Sequence, residues 1–509
     1  MPRRLYLFPA WLLASAASVA AQAPAPSADR AEATITAADV ARRIAVIADD
    51  SMLGRDTPSR GLEQTARYVA HQLRSFGLEP GGENGTWFQR YPITRRRLDL
   101  DDSRIVFRAR NVSDTAAFDG AATYSQGVVP ERPVSGPAVL VGGAVSPEDV
   151  ERMRLRNKIV LYAPDFSRDI PQNAVQVGRA IRLAGPKAIV IVSNLDSAAF
   201  AARVPRKAPA RTGIDLRLDS PVVVEVSKAA LPDVLRAAGV DLAEVRSAPR
   251  PVVRELPGFG VRVEMKDSVL SRLTAPNTIG ILRGTDPKLR DEYLVFSAHM
   301  DHVGITPGQA DSINNGADDD ASGTAGVIEL AEAFSRPGAR PKRSLMFLTV
   351  SGEEKGLWGS RFFSEHPTVP LENVVANINI DMIGRNWADT IVAIGKEHSD
   401  LGATLERVNA AHPELGMTAI DDQWPEERFY FRSDHYNFAR KGVPVLFFFN
   451  GVHEDYHQPS DEPEKIDAEK ESRILRLLYH LGREVANAPG RPRWNPESRA
   501  EIVEDAGVP

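Results

Sequence analysis

The sequence predicts an α/β fold with a mostly parallel central sheet, helices on both faces, and an interruption by a small β-rich segment. From about residue 261 to residue 485, apolar strands alternate with helical stretches, and this alternation is typical of parallel sheets. Between residues 119 and 255, many short apolar runs follow one another, separated by Pro and Gly. The 509 residues exceed what one ordinary core organises, so two folded units are expected.

The N-terminus, residues 1–23, has the features of a secretory signal peptide. Arg3 and Arg4 precede a mostly apolar run, and Ala21-Gln22-Ala23 fits a small-x-small cleavage site. The apolar run is broken by Pro9, and a spanning helix needs about 20 apolar residues, which favours cleavage over a retained anchor. We therefore expect an exported protein, periplasmic or extracellular, without stable membrane insertion after cleavage.

Composition restricts the partners and the chemistry. The chain contains no Cys, which excludes disulfides and thiol chemistry and is consistent with a bacterial periplasm. The net charge of -6 is small for this length, and the sequence has no basic run with interleaved aromatic residues. Nucleic acid is therefore not an expected partner.

Two separate stretches, residues 24–118 and 256–488, are predicted to form one α/β domain. The first stretch has helical spacing from Thr36 to Phe76 and a strand from Trp87 to Ile93. The second stretch contains the alternating elements. Its predicted strands and helices are Tyr293–Ala298, Ala325–Phe334, Ser344–Val350, Val374–Ile380, Val443–Phe449 and Ala468–Ala486.

The remaining segments are the β-rich insert, residues 119–255, and the C-terminal tail, residues 489–509. The insert is expected to be a separate unit outside the central sheet. No His lies between His71 and His299, so the insert lacks the clustered His, Asp and Glu of a catalytic site. The tail is rich in Pro and charged residues, which predicts that it is mobile.

Histidine and acidic residues follow the carboxyl ends of the predicted strands, where ligands bind in open α/β sheets. Each has an ordinary explanation taken singly, such as capping a helix, but their joint occurrence favours one shared site. They are His299 and Asp301 after the first strand, Asp319 before the following helix, Glu353 and Glu354 after the second strand, Asp381 after the third, and His457 in the loop after the fourth.

This set of side chains is typical of a metal site. Imidazole and carboxylate ligands without sulfur suit zinc and, less exclusively, manganese or cobalt. A carboxylate can bridge two ions held roughly 3.5–4 Å apart, and two ions account for the size of the set. The sequence contains no H-E-x-x-H helix, which excludes that class of single-zinc protease.

Five motifs resemble those of one family, the co-catalytic di-zinc aminopeptidases of clan MH, which includes glutamate carboxypeptidase II. The resemblance covers roughly Thr36 to Val485, and the insert resembles the protease-associated domain that some members carry. The motifs are His299-Met300-Asp301-His302, Gly316-Ala317-Asp318-Asp319-Asp320-Ala321-Ser322-Gly323, Ser351-Gly352-Glu353-Glu354-Lys355-Gly356-Leu357, Asn379-Ile380-Asp381-Met382 and Tyr456-His457.

The resemblance implies a zinc aminopeptidase-like fold and two zinc ions, with manganese or cobalt as alternatives. It also implies which residues bind each ion. Asp319 would bridge the two ions. One ion would add His299 and Asp381, and the other would add Glu354 and His457. The resemblance also implies a cis peptide bond between Asp319 and the following residue, Asp320.

The catalytic roles are carried over in the same way. Glu353 would be the general base, and Asp301 would orient His299 from behind the metal. Tyr456 and Arg432 resemble the groups that stabilise the oxyanion and bind the substrate in this family.

The expected function is hydrolysis of N-terminal residues from peptides by a metallo-aminopeptidase, using water activated by two metals. The alternatives are a carboxypeptidase or dipeptidase of the same family, a glutaminyl cyclase, and a non-catalytic receptor-like member. Only Arg385 and Arg432 lie near the motifs, and this lack of a basic cluster favours an aminopeptidase. The preferred terminal residue and the oligomeric state stay open.

Four aromatic residues near the motifs have two interpretations. They either line a pocket for an apolar side chain or belong to the core, which is the commoner place for aromatic residues. They are Trp424, Phe429, Tyr430 and Phe431.

Overall fold

The computed structural model describes residues 31–126, 129–130, 132–165, 172–214, 221–308 and 310–504. The predicted signal peptide lies outside these residues. Within the described ranges, no helix is both long enough and apolar enough to cross a membrane.

The strands of the described residues form two sheets. In chain order they are β1 Glu79–Pro80, β2 Phe88–Leu98, β3 Arg104–Ala109, β4 Val112–Ala117, β5 Ala122–Gln126, β6 Val134–Gly142, β7 Ile159–Ala163, β8 Ala188–Ser193, β9 Ala210–Ile214, β10 Val222–Ser227, β11 Val252–Glu264, β12 Asp267–Leu282, β13 Tyr293–His299, β14 Ser344–Val350, β15 Val374–Ile380, β16 Thr390–Ile394, β17 Thr418–Ile420 and β18 Val445–Phe448.

Several α-helices in the described part of the chain begin at a residue whose side chain caps the helix. Thr36 accepts a hydrogen bond from Asp39 N at the first helix, and Asp467 accepts one from Lys470 N at the long C-terminal helix. The helices are α1 Ala37–Ile47, α2 Arg60–Ser75, α3 Pro147–Glu151, α4 Gln172–Leu183, α5 Ser197–Arg203, α6 Pro232–Ala237, α7 Leu242–Ser247, α8 Gly323–Ser335, α9 Trp358–Glu365, α10 Leu401–Ala411, α11 His435–Ala439, α12 Ala468–Asn487 and α13 Pro496–Ile502.

The central sheet has the order β17-β16-β18-β15-β13-β14-β12-β2-β9, and β1 pairs with β12. Strands β18, β15, β13 and β14 run parallel, whereas β12, β2 and β9 are antiparallel to their neighbours. The predicted α/β class is confirmed, but the sheet is mixed rather than mostly parallel. The parallel strands β13, β14 and β15 are buried throughout, whereas the first half of β12 is largely exposed, which only antiparallel pairing tolerates well.

Helices cover both faces of the parallel centre. On one face, Leu294 and Phe296 of β13 join a core formed with α1, α8 and α12. On the other face, Val295 packs in a second core with Phe363 of α9 and Phe438 of α11. Burial on both faces fixes the ends of the parallel strands, and these ends carry the candidate site.

The second sheet has the order β4-β3-β11-β6-β7-β8-β10-β5 and its own apolar core. It differs from the predicted insert in its boundaries, because β3 and β4 precede residue 119 and β11 continues past residue 255. The predicted boundary at residue 119 was placed where the short apolar runs of the sequence begin. The pairing of β3 with β11, by contrast, brings the alternating strands before that point into the same sheet.

One strand of the predicted insert joins the central sheet instead. β9 pairs antiparallel with β2, from Ile214 opposite Ile93 to Ala210 opposite Arg97. The expected separation of the insert from the central sheet therefore fails at this strand. The cause is the unpaired edge of β2, which would otherwise be open for strand addition.

The tail predicted to be mobile is packed as far as residue 504. Ile502 of α13 is buried, and Trp494 Nε1 donates a hydrogen bond to Gly442 O at 2.9 Å. Arg440 forms a 2.7 Å ion pair with Glu504. Composition alone does not reveal these few contacts, which anchor a segment rich in Pro and charge.

Candidate metal centre

The candidate residues lie at the carboxyl ends of the parallel strands. β13 ends at His299, β14 ends shortly before Glu353 and Glu354, and Asp381 follows β15 directly. His457 lies in the loop after β18. The topology therefore collects at one sheet edge side chains that are far apart in the sequence.

The first half of the centre is built on His299. Its Nε2 lies 3.2 Å from Asp319 Oδ1 and 3.6 Å from Asp381 Oδ1. All three side chains are buried. Ser433 Oγ donates a 2.9 Å hydrogen bond to the other oxygen of Asp381, Oδ2, so that Oδ1 remains directed at His299.

The second half of the centre is built on His457. Its Nε2 lies 3.1 Å from Asp319 Oδ2 and 3.0 Å from Glu354 Oε2. The two oxygens of Asp319 thus face two different imidazoles, each accompanied by another carboxylate. This is the arrangement that a bridging carboxylate requires.

The donor set fits two ions. Nitrogen and oxygen ligands at 2.0–2.1 Å from a tetrahedral ion lie about 3.3 Å from one another. The four separations above, 3.0 to 3.6 Å, bracket that value. Asp319 Oδ2 and His457 Nε2 also have no hydrogen-bond partner among the described residues, although they face each other. Such a pair of buried polar atoms is well explained by a shared cation.

The charges of the site favour a cation. Burial opposes ionisation of Asp319, but the facing imidazoles outweigh burial and hold the pKa of this carboxyl well below its ordinary value. Burial also acts to lower the pKa of His457, yet Asp319 and Glu354 raise it to about 10. The negative potential that raises this pKa is equally suited to a divalent ion.

The loop that carries Asp319 is fixed by its neighbours. The peptide bond between Asp319 and Asp320 is cis, as the resemblance implied. The Asp320 carboxylate accepts hydrogen bonds from the backbone N–H of His299, Gly323 and Met382 at 3.1, 2.8 and 3.2 Å. The Asp320 carboxylate is therefore held by three backbone N–H groups, whereas the Asp319 carboxylate faces the imidazoles.

Asp461 also supports this loop. Its carboxylate accepts hydrogen bonds from the backbone N–H of Asp318 at 3.1 Å and of Asp319 at 3.2 Å. Burial, together with the charge of Asp318, raises the pKa of Asp461 to about 7. The sequence contained no signal for this role beyond an acidic residue close to His457.

The adjacent glutamates Glu353 and Glu354 have opposite electrostatic environments. Burial raises the pKa of Glu353 well above its ordinary value. Burial and the Asp319 charge act in the same direction on Glu354, but the facing imidazoles of His302 and His457 outweigh them and lower its pKa. Glu354 is thus suited to remain an anionic ligand, whereas Glu353 is suited to take up a proton.

The Asp301 carboxylate does not make the contact with His299 that was predicted for it. His299 Nδ1 lies 3.1 Å from the backbone carbonyl of Asp301 and 3.8 Å from its carboxylate. The backbone oxygen therefore orients the ring. The carboxylate instead accepts hydrogen bonds from Thr57 Oγ1 at 3.1 Å and from Glu353 N at 3.2 Å, which places it under the predicted base.

Tyr456 and Arg432 are placed very differently. The Tyr456 ring stacks on His457 with centroids 3.9 Å apart, and burial followed by the nearby carboxylates raises the pKa of its hydroxyl. Tyr456 therefore keeps its proton at the site. The Arg432 guanidinium lies at the surface, 3.2 Å from Glu427 and stacked over Phe429, and none of its described contacts reaches a ligand carboxylate.

The aromatic residues divide between the core and the surface. Phe429 and Tyr430 are buried in the core under the central sheet, and Phe431 packs against that core. Trp424 is partly exposed and stacks on Trp387 at 6.0 Å. Trp387, which the sequence analysis did not single out, is 41% exposed.

The segment that contains these candidate ligands is similar to a known family. Residues 277–482 match the model of Peptidase family M28. This segment is similar to Peptidase family M28. All five predicted ligands, from His299 to His457, lie inside the matched segment.

Individual relatives of the M28 domain are distant. A probable zinc metalloprotease of Pyricularia oryzae is 28% identical over 292 residues, which cover 47% of this chain and 56% of that protein. Leupeptin-inactivating enzyme 1 of Streptomyces exfoliatus is 29% identical over 214 residues, which cover 42% of this chain and 43% of that protein. The chain thus spans about half the length of these curated relatives.

Solved structures similar to this chain include an aminopeptidase from Aneurinibacillus sp. strain AM-1. It aligns over 92% of this chain and 98% of its own, with 20% identity and a TM-score of 0.48.

Proposed function

We propose that the protein is an exported zinc-dependent exopeptidase that hydrolyses single residues from the N-termini of peptides. The observation that carries this proposal is the position of Asp319. Its two carboxylate oxygens face two separate sets of ligands, His299 with Asp381 and His457 with Glu354. A site of this kind would hold two zinc ions, with manganese or cobalt as alternatives.

The bound ions would polarise the scissile carbonyl and lower the pKa of water. The side chains supply the remaining steps. Glu353 accepts the proton of the attacking water and passes it to the leaving amine, for which its raised pKa is suited. Tyr456 stacks beside His457 as a neutral phenol and donates a hydrogen bond to the developing oxyanion.

The charges around the site support an aminopeptidase over a carboxypeptidase. A free ammonium is attracted by the acidic centre, whereas a substrate carboxylate needs an available cation. Arg432 pairs with Glu427, and Arg385 pairs with Asp455 at 3.0 Å. The buried Arg55 is hydrogen-bonded to backbone carbonyl oxygens such as Met300 O at 3.0 Å. These three arginines are therefore committed to the protein itself.

Two further assignments belong to this proposal. Residues 1–23 would direct export, and the second sheet would be a protease-associated insert. The stacked pair of Trp387 and the partly exposed Trp424 would contact an apolar side chain of the substrate.

A release assay on matched peptides tests the proposal. Purified zinc-loaded protein is incubated with one short peptide in three forms: unmodified, N-acetylated and C-amidated. Mass spectrometry identifies the products, and Glu353→Gln protein from the same preparation serves as the control. The proposal predicts release of the N-terminal residue from the unmodified and C-amidated peptides, and none from the N-acetylated peptide.

Other outcomes identify the alternatives. Shortening of the N-acetylated peptide from its C-terminus would show a carboxypeptidase. Loss of ammonia from a peptide with N-terminal Gln, without shortening, would show a glutaminyl cyclase. No reaction of any peptide by protein that retains two ions would favour a receptor-like role.

A further inference from the structure

A third imidazole, that of His302, lies beside the ligand Glu354 and has no role in the function proposed above. The ring is fully buried, and its Nδ1 lies 3.0 Å from Glu354 Oε1. The other carboxylate oxygen, Oε2, faces His457 Nε2 at 3.0 Å. The two oxygens of Glu354 thus face two different imidazoles.

The backbone fixes the position of the His302 ring. Gly316 has a φ of +58°, and a Cβ built on it would lie 2.6 Å from Cγ and Cδ2 of the ring. His302 N donates a hydrogen bond to Arg55 O at 3.3 Å, and Arg55 Nη2 donates one to Gly316 O at 2.9 Å. The ring therefore lies directly against the Gly316 backbone, in a place that a larger residue at position 316 would fill.

The hydrogen bond defines which ring nitrogen carries a proton. An ionised carboxylate only accepts hydrogen bonds, so His302 Nδ1 is the donor to Glu354 Oε1. The second nitrogen, Nε2, is buried without a hydrogen-bond partner in the described part of the chain. The distance from Nδ1 to Asp319 Oδ2, 3.6 Å, is too long for a second hydrogen bond. The ring thus acts on the centre through Glu354.

We infer that His302 is a positioning residue, whose Nδ1–H occupies Glu354 Oε1 and leaves Oε2 to bind the second ion in one fixed orientation. The inference rests on the proposed two-ion site. Mutation of a residue that orients a metal ligand in this way typically costs about 10–100-fold in metal affinity or activity.

Metal affinity measured without substrate tests this inference. Four proteins are compared: the parent, His302→Leu, His302→Asn and His302→Gln. Asn places an amide N–H near the position of Nδ1, Gln extends its amide toward Nε2, and Leu fills the space without a donor. Zinc per chain is measured by mass spectrometry of the metal, and the dissociation constant of each ion by competition with a chromophoric chelator. His435→Leu is the matched control, because His435 is also a buried imidazole but stacks on Phe447.

The inference predicts that His302→Leu and His302→Gln weaken the second ion by about 10–100-fold, whereas His302→Asn stays within about threefold of the parent. His435→Leu should lower thermal stability and keep both ions. Parent-like metal affinity in folded His302→Leu would overturn the inference. Equal weakening in His302→Asn and His302→Gln would also overturn it, because that result would make the His302 ring itself a metal ligand. If Leu does not fold, the Asn and Gln comparison decides alone. A parent protein that binds no ion would instead overturn the proposed function.

Discussion

Glu354 Oε2 lies 3.0 Å from His457 Nε2, in position to share an ion with it. The preceding residue, Glu353, is anchored through its backbone N–H to the Asp301 carboxylate at 3.2 Å. The two glutamates are adjacent in the chain but face different environments, since the pKa of Glu353 is raised and that of Glu354 is lowered. This division leads to the first prediction.

Glu353→Gln should lower kcat by at least about 10²-fold while leaving metal content unchanged, because Gln keeps the size of Glu but cannot accept the proton. Glu354→Gln should instead lose zinc, because a neutral amide is the poorer ligand. Metal analysis and steady-state kinetics on both variants separate these effects. Near-normal turnover in Glu353→Gln, or zinc loss equal to that of Glu354→Gln, would show that the roles are wrongly assigned.

Removal of the ions should destabilise the fold. The buried carboxylates of Asp319 and Asp381 then face each other's charge without a bound cation, and a ligand present at 1,000 times its Kd contributes about 4 kcal/mol to the free energy of unfolding. Urea unfolding with and without a strong chelator measures this difference. The control is Asp319→Ala, whose stability should not respond to the chelator. A parent protein equally insensitive to chelation would argue against a metal centre in the fold.

Arg432→Ala should change kcat/KM on unblocked peptides by less than about threefold. Its guanidinium pairs at the surface with Glu427, and exposed pairs contribute little. Kinetics on unmodified and C-amidated peptides check this expectation. A loss of tenfold or more, confined to peptides with a free carboxylate, would restore the substrate-binding role that the sequence assigned to Arg432 and would favour a carboxypeptidase.

The free energy of unfolding should decrease in acid, and the buried imidazole of His435 should contribute to this decrease. Burial lowers the pKa of this imidazole from 6.5 to about 3, so the unfolded chain binds the proton first as the pH falls. The contribution of His435 is complete above pH 6.5 and decreases toward pH 3, by about 2 kcal/mol at pH 5. His435→Phe keeps a ring against Phe447 without the proton. Urea unfolding at pH 7 and pH 5 should show a shallower loss in the variant, and equal losses would exclude this role.

The sequence predicted which side chains lie close together better than it predicted the strand directions of the sheet. Strand ends and residue types were sufficient to select His299, Asp319, Glu353, Asp381 and their partners, because parallel strands place their carboxyl ends at one edge. The apolar runs did not reveal strand direction, so the antiparallel side of the central sheet was missed. The pairing of β9 with β2 was missed for the same reason, since it depends on an edge exposed only in the folded chain.

The supporting residues were the least predictable part of the site. His302, Ser433 and Asp461 act on ligands through hydrogen bonds that join distant segments. Only the folded backbone shows that His302 and Ser433 bind carboxylate oxygens of Glu354 and Asp381. It also shows that Asp461 accepts hydrogen bonds from the backbone N–H groups of Asp318 and Asp319. The placement of Arg432 at the surface was unforeseen in the same way, because its partner Glu427 neutralises it locally.

The metal content of three single variants tests the bridged two-ion centre most directly. His299→Ala and Asp381→Ala each disturb one set of ligands, whereas Asp319→Ala removes the group that both sets share. Purified proteins that are folded by circular dichroism are equilibrated with zinc, desalted, and analysed for ions per chain. The expected result is about two ions in the parent, about one in His299→Ala and Asp381→Ala, and close to none in Asp319→Ala. Equal loss in all three variants, or a parent that binds a single ion, would contradict the assignment of Asp319 as the bridge.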